Sequence, residues 1–260
     1  MFSYFGGIWN ARHFWIHLTL SDLRSRWRRS FLGILWSILQ PLGLALILAF
    51  VLSRLFHMDI RTYAPYVISG SIVWDFVSVV CTGGALSFVQ ADAYIKNCRH
   101  PLAIYSLRTV LANLVVMALA SISIFVWAAI AIPERISVAW VSALSIYVLL
   151  ALIAWPLVTL LAYIGSRVRD LPNVMTLILQ ACWFVSPIFF EADMFRRAGL
   201  GALVDDNPVY HLLQIVRAPL LEGRWPTATN YSFCLGTALF FAVCAWLVGR
   251  KAERRVIFYL

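Results

Sequence analysis

The chain has 260 residues, 62% of them hydrophobic and only 13% charged, with a mean hydropathy of +0.82 and a formal net charge of +9. That balance excludes an ordinary soluble domain, in which about a quarter of the residues are charged. The basic residues are scattered over segment ends rather than gathered into one exposed module, so the high pI does not point to nucleic acid.

Residues 1–10 carry no basic region leading an apolar stretch and no small-residue cleavage site, so no removable signal peptide is expected. A helix follows. Ile16, Leu20, Leu23 and Trp27 recur at i, i+4, i+7 and i+11, one apolar stripe, with Arg24 and Arg26 beside it and Arg28 and Arg29 pointing away. Such a helix suits the headgroup plane, its arginines snorkelling toward phosphates. Residues 30–33 then turn the chain into the membrane, with Gly33 supplying backbone freedom at the corner. Two readings stand side by side: simple anchoring by positive charge, or contact of Arg28, Arg29 and the Leu32-Gly33 corner with the phosphates of a lipid-linked substrate.

Six long apolar runs come next, at 31–53, 65–89, 107–132, 138–164, 172–190 and 231–249. Each has about 20 residues or more, enough at 1.5 Å per residue to cross a hydrocarbon core of about 30 Å. Lipid offers no partner for an unpaired backbone amide, so runs of this kind span as helices. The expected fold is an all-α integral membrane protein of six transmembrane helices. Residues 1–260 are expected to form one transmembrane domain: an interface helix at 1–30, spans at 31–249 and a tail at 250–260.

With both termini placed in the cytoplasm, fourteen Lys and Arg residues fall inside and seven outside, as the positive-inside rule requires. Two inner loops have the character of docking elements. Residues 90–101 (QADAYIKNCRHP) bring Asp92, Tyr94, Lys96 and Arg99 on a helix-compatible core closed by Pro101. Residues 165–172 (GSRVRDLP) bring Arg167 and Arg169. Either loop could simply solvate a turn. No G-x-x-x-x-G-K-[ST] occurs, so the chain has no phosphate-cradling loop and any ATP would be hydrolysed elsewhere.

The outer connection of about forty residues after the fifth run is too long for a plain loop. Asn207-Pro208 reads as a helix start, and Val209, Leu212, Leu213 and Val216 supply an apolar stripe; residues 191–203 could form a further short helix. Short helices there either plug or line an exit or rest on the lipid surface. Asp75 is the one acid within an apolar run, a candidate proton group or a helix-packing contact. Trp36, Tyr66, Trp74, Trp183 and Phe184 are among many aromatics that either anchor and pack or stack on sugar rings in a channel. The odd cysteine count without C-x-x-C indicates neither disulfides nor zinc, and His13 and His17 have no third ligand, so no metal is expected.

Three stretches carry a resemblance. DLRSRWRRSFLGILWSILQPL (22–42), RDLPNVMTLILQACWFVSPIFF (169–190) and NPVYHLLQIVRAPLL (207–221) are similar, in the expected order, to signatures of ABC transporter permeases that export polysaccharides and polyol phosphates. The likeness spans nearly the whole chain and is nearest to the O-antigen and teichoic-acid branches. It implies an inner-membrane homodimer joined to two copies of a cytoplasmic ATP-binding subunit, which would hold ATP and Mg while this chain binds no cofactor. The implied cargo is a glycan on undecaprenyl diphosphate, passed between the protomers. By that likeness Arg24, Arg26, Arg28, Arg29, Leu32 and Gly33 approach the lipid diphosphate, the loop around Lys96 and Arg99 couples to the ATPase, and the segment holding Asn207, Pro208, Tyr210, His211 and Arg217 gates the periplasmic exit. An ion-coupled transporter would need intramembrane ion sites beyond Asp75. A membrane glycosyltransferase would need clustered acids near the cytoplasmic interface, and Asp205-Asp206 is on the wrong side.

Overall fold

The computed structural model describes residues 2–28, 31–55, 57–98, 100–253 and 255–260, and every regular element in them is helical. The order is α1 (Phe2–Asn10), α2 (Arg12–Trp27), a 3₁₀ turn at Gly33–Leu35, α3 (Trp36–Leu55), α4 (Ile60–Gln90), α5 (Asp92–Asn97) and α6 (Ala103–Ala131). After a second 3₁₀ turn come α7 (Trp140–Ala143), α8 (Ser145–Gly165), α9 (Leu171–Val185), α10 (Ala192–Arg197), α11 (Ala202–Asp205), α12 (Pro208–Glu222) and α13 (Ala228–Ala252). Local chemistry explains several boundaries. Asp59 accepts from the Arg61 amide at 3.0 Å to start α4, Thr227 accepts from the Asn230 amide at 3.3 Å to start α13, and Gly223, at φ +66°, closes α12.

Among the described residues, five helical stretches are long and apolar enough to cross a membrane: Gly33–Leu55, Ile60–Gln90, Ala103–Ala131, Trp140–Gly165 and Ala228–Ala252. The remaining expected run, 172–190, holds a shorter helix. There α9 runs for only 15 residues, about 22 Å against the roughly 30 Å of a hydrocarbon core. Pro187 is the cause. Its ring has no N–H to give the helix and drives Ser186 out of the α region, to φ −89° and ψ 142°. The Ser186 amide still donates to the Cys182 carbonyl at 2.9 Å, but residues 187–190 continue non-helical and still apolar, so a hydropathy reading sees one uninterrupted run.

α4 is the central helix and packs against α3, α6, α8, α9 and α12. Val67, Ile68 and Val73 on it join Val110, Leu150, Val158, Leu213 and Leu220 in the main core. Between lipid-embedded helices, close fit and hydrogen bonds do what water exclusion does elsewhere. The Ser106 and Thr159 hydroxyls meet at 2.6 Å between α6 and α8, and the Trp155 indole donates to the Ala103 carbonyl at 3.0 Å. Both chain termini gather at one end of the bundle. There Val256 of the tail joins Leu18, Phe88, Ile95, Tyr105 and Tyr163 in a second cluster. The opposite, distal end carries α7 and α10 to α12.

Both expected surface helices form, each with part of its surface packed on the bundle. α2 exists, yet its buried face is Leu18, Thr19 and Leu23, while Ile16 and Leu20 are exposed. Asp22 pairs with Arg108 of α6 at 3.3 Å and Arg26 donates to Asn113 of α6 at 3.1 Å, which turns a different side of α2 inward. α12 does not rest on a surface: Leu212, Leu213, Ile215, Ala218 and Leu220 are buried against α4, α7 and α13.

Candidate functional site

The distal end is organised by one buried cation. Arg217, placed on α12 two turns beyond its start, is 2% exposed. Its guanidinium donates to the Pro187 carbonyl at 2.6 Å, the Ile188 carbonyl at 2.8 Å and the Tyr66 carbonyl at 3.1 Å. The same group lies 3.5 Å from the centre of the Tyr66 ring. Tyr63 adds a hydroxyl to the Phe189 carbonyl at 2.8 Å, and Tyr66 reaches the carbonyls of Pro187 and Phe190 at 3.2 and 3.0 Å. The carbonyls freed where α9 stops are therefore satisfied by side chains of α4 and α12, which is what makes a non-helical apolar segment tolerable at this depth. Gly70 is required at the crossing. A Cβ there would stand 2.7 Å from both Arg217 Nη2 and the Ile188 carbonyl oxygen.

The residues expected at an exit gate share this end. Asn207 accepts from the Val209 amide at 2.9 Å, capping α12, and its amide donates to Ser186 at 3.1 Å. Pro208 fills the first helical turn. Tyr210 accepts from Arg196 at 3.2 Å. His211 is buried, with Nδ1 3.0 Å from the Asn230 amide oxygen, Nε2 2.9 Å from the Asp205 carbonyl, and its ring stacked 4.0 Å from Phe233. Arg217, expected among the outer loop charges, is instead a core residue. Its neighbours Tyr63, Ser69 and Gly70 were not singled out in the sequence, nor was Arg196 as a site residue. That guanidinium binds Asp193 at 2.9 Å and Asp205 at 2.7 Å, and those hydrogen bonds with that of Tyr210 hold its pKa above the ordinary value.

Of the five aromatics expected in a channel, Trp183 and Phe184 are in ring contact and the others lie in different surroundings. Trp74 is packed in the main core, Tyr66 serves the Arg217 clasp, and Trp183 stacks edge-on with Phe184 and Phe189 at 5.0 and 4.7 Å. Trp36 and Phe184 are exposed.

At the corner, Arg24, Arg26 and Arg28 are exposed, and Arg29 lies outside the described residues. Gly33 adopts φ +46°, the left-handed conformation expected of a glycine corner beside Leu32. Trp27 fastens α2 to the start of α3 through Ser37 at 3.3 Å. Arg26 and Trp36 share a small cavity of about 170 Å³ with Gln40, Asp75 and Asn113, so the intramembrane acid faces the same recess as the basic helix. Burial raises the Asp22 pKa, and Arg108 offsets part of that rise.

At the terminal end, α5 presents Asp92 and Lys96 as an i, i+4 pair at 2.8 Å, with Tyr94 half exposed and edge-on to Phe14. Arg99 is outside the described residues. Arg167 and Arg169 do not join that loop. Arg167 donates to the Tyr259 hydroxyl at 2.6 Å with its guanidinium 4.6 Å from that ring, and Arg169 reaches the Tyr259 carbonyl at 3.4 Å. The tail touches both inner loops, Val256 sharing a cluster with Ile95 and Tyr259 accepting from Arg167. Among the described residues no group of three or more His, Cys, Asp or Glu side chains is placed to hold a metal ion.

The sequence profile of the ABC-2 type transporter family matches residues 14–221. The chain belongs to that family. The match runs from α2 nearly to the end of α12 and so includes the corner, α5, the shortened α9 and Arg217. Among curated relatives, this ABC-2 chain is 24% identical over 233 residues to an O-antigen export system permease protein, RfbA, of Klebsiella pneumoniae, covering 89% of this chain and 87% of the relative. A Myxococcus xanthus protein of the same name is 23% identical over 251 residues, 95% and 94% of the two chains. The polysialic acid transport protein KpsM of Escherichia coli is 22% identical over 211 residues, 79% and 80%. This ABC-2 chain is a multi-pass membrane protein.

Proposed function

We propose that this chain is the transmembrane subunit of an ATP-driven exporter that moves an undecaprenyl-diphosphate-linked polysaccharide of the O-antigen kind across the inner membrane. The observation that carries the reading is the family match over 14–221 together with export permeases similar along almost their full length. Two copies of the chain work with two copies of a cytoplasmic ATP-binding subunit. Exposed apolar side chains along α3 and α9, among them Ile47, Phe50, Leu177 and Phe184, support a second copy or lipid against these helices. The bias of Lys and Arg toward the terminal end supports cytoplasmic termini.

In this reading α2 and the Gly33 corner receive the lipid diphosphate, with guanidinium forks matching phosphate oxygens. α5 and the tail cluster take the stroke of the ATPase, and α12 with residues 186–190 governs the distal exit. A teichoic-acid or capsular exporter is the second reading, favoured by the similarity to a polysialic acid transporter. Co-expression with a candidate ATP-binding subunit tests the proposal. A stable complex with raised ATP turnover is expected, and no specific azido-ATP labelling of the isolated chain. Specific labelling of the chain alone would remove the permease assignment.

A further inference from the structure

An apolar groove of about 950 Å³ lies between α4, α8, α9, α13 and the start of α12. The short α9 leaves it open. α9 packs chiefly on α4 while α13 packs on α8 and α12, and beyond α9 the Pro187 and Ile188 carbonyls are held by Arg217. The two helices therefore stand apart as opposite rims. Cys182 and Val185 are exposed on one rim and Gly236 and Phe240 on the other, so the groove opens sideways, toward the bilayer.

Its length matches one leaflet. Along α13 the wall runs from Ser232 to Phe241, a rise of about 14 Å at 1.5 Å per residue. Half of a hydrocarbon core of about 30 Å is about 15 Å. The inner limit, Val80 of α4 and Leu157 of α8, lies just off the midpoints of those spans. Polarity follows the same axis. Thr237, midway along, donates to the Phe233 carbonyl of its own helix at 2.8 Å, and the other polar lining residues, Ser186, Asp206, Asn207 and Ser232, sit at the distal mouth. A phospholipid of the distal leaflet has its head and tails in that order. A helix from a second copy would have to cross the whole core, whereas this groove ends at mid-bilayer.

We infer that the groove is a binding site for the acyl chains of a phospholipid in the distal leaflet. In lipid the driving force is close packing, and a tail between two walls makes contacts that a tail on a convex helix face lacks. Asn207, Pro208 and Leu212 border the same space, so the bound tails pack beside the helix that carries Arg217. The site depends on the bilayer and not on the cargo, so it can fail while the export reading stands.

Photo-crosslinking of the full chain tests this, in nanodiscs of phosphatidylethanolamine and phosphatidylglycerol containing a phosphatidylethanolamine with a diazirine midway along one acyl chain. Adducts mapped by peptide mass spectrometry are expected on residues 181–186 and 232–241, about fivefold above those on Ile122, Val126 and Ile130, an exposed stripe of α6 that meets bulk lipid. Gly236 supplies the variants, because an added Cβ there meets no atom within 4 Å. Gly236→Ala should keep the groove adducts, and Gly236→Leu and Gly236→Phe should lower them stepwise, about fivefold for Phe, with the α6 adducts unchanged. Equal yield at the groove and the α6 stripe, or groove adducts indifferent to Gly236→Phe, would overturn the site. Selective loss of groove adducts on adding undecaprenyl phosphate would give the groove to a prenyl chain instead. A disulfide-linked dimer formed by Gly236→Cys and not by the native chain would give it to a second copy, and either result overturns the phospholipid site.

Discussion

The Arg217 guanidinium stacks 3.5 Å from the centre of the Tyr66 ring and also donates to the Tyr66 carbonyl at 3.1 Å, so one residue of α4 holds the cation by both its ring and its backbone. The other donors of Arg217 reach the segment where α9 has stopped, which ties three parts of the chain at one point.

Arg217→Ala should therefore destabilise the protein strongly. The Ile188 and Pro187 carbonyls lose a charged donor, at roughly 1–3 kcal/mol for each group left unpaired. Arg217→Lys should recover only part, because an ammonium lacks the planar fork that spans several acceptors. Gly70→Ala should cost about 1–3 kcal/mol by overpacking against Arg217 and Ile188. Thermal unfolding in detergent, followed by tryptophan fluorescence, orders the three variants. A wild-type melt for Arg217→Ala would show that the clasp is not structural.

The tail is expected to be part of the coupling region. Val256 is 1% exposed in the cluster that includes Ile95 of α5. Val256→Asp buries a carboxylate with no partner in that apolar cluster and should separate the tail from α5. The expected outcome is ATP hydrolysis that no longer drives export, with the protein still inserted. Tyr259→Phe, which removes only the exposed acceptor of Arg167, should cost under about 1 kcal/mol and leave export near normal. Export unaffected by Val256→Asp at matched abundance would take the tail out of the coupling path.

Reversal of charge on the α5 loop tests the same path from the other side. Lys96→Glu with Arg99→Glu should leave insertion intact and uncouple ATP turnover from export, the result expected if the partner's docking groove is acidic and then meets like charges. Lys96→Glu also breaks the pair with Asp92, so Lys96→Ala serves as the control for loss of that pair alone. Normal glycan export by the well-expressed double variant would exclude this loop.

Arginine against lysine at the corner separates phosphate contact from anchoring. Arg28→Ala and Arg29→Ala should reduce surface glycan, with the corresponding Lys variants rescuing only in part. The topology rule counts both residue types alike, so complete rescue by Lys at verified topology would assign these arginines to orientation only.

Hydropathy alone determined that the chain is a helical membrane protein. Apolar runs longer than a bilayer leave the backbone no other solution, and the five long helices follow five of the six runs to within a few residues. Local chemistry was equally legible where one residue decides: Asn207 and Pro208 begin α12, and Gly33 turns the corner. What the sequence hid depends on partners distant along the chain. Pro187 sits inside an apolar run, and only the donors of Tyr63, Tyr66 and Arg217, as many as 126 residues away, allow the helix to stop there. Arg217 counts as a loop charge until α12 is folded into the bundle around it. The contact of Arg167 with Tyr259 of the tail was likewise hidden, 92 residues apart in the chain. Charge and hydropathy are properties of single residues and short windows, whereas satisfaction of a buried cation or a freed carbonyl is a property of the assembled bundle. Only the tertiary structure decided those.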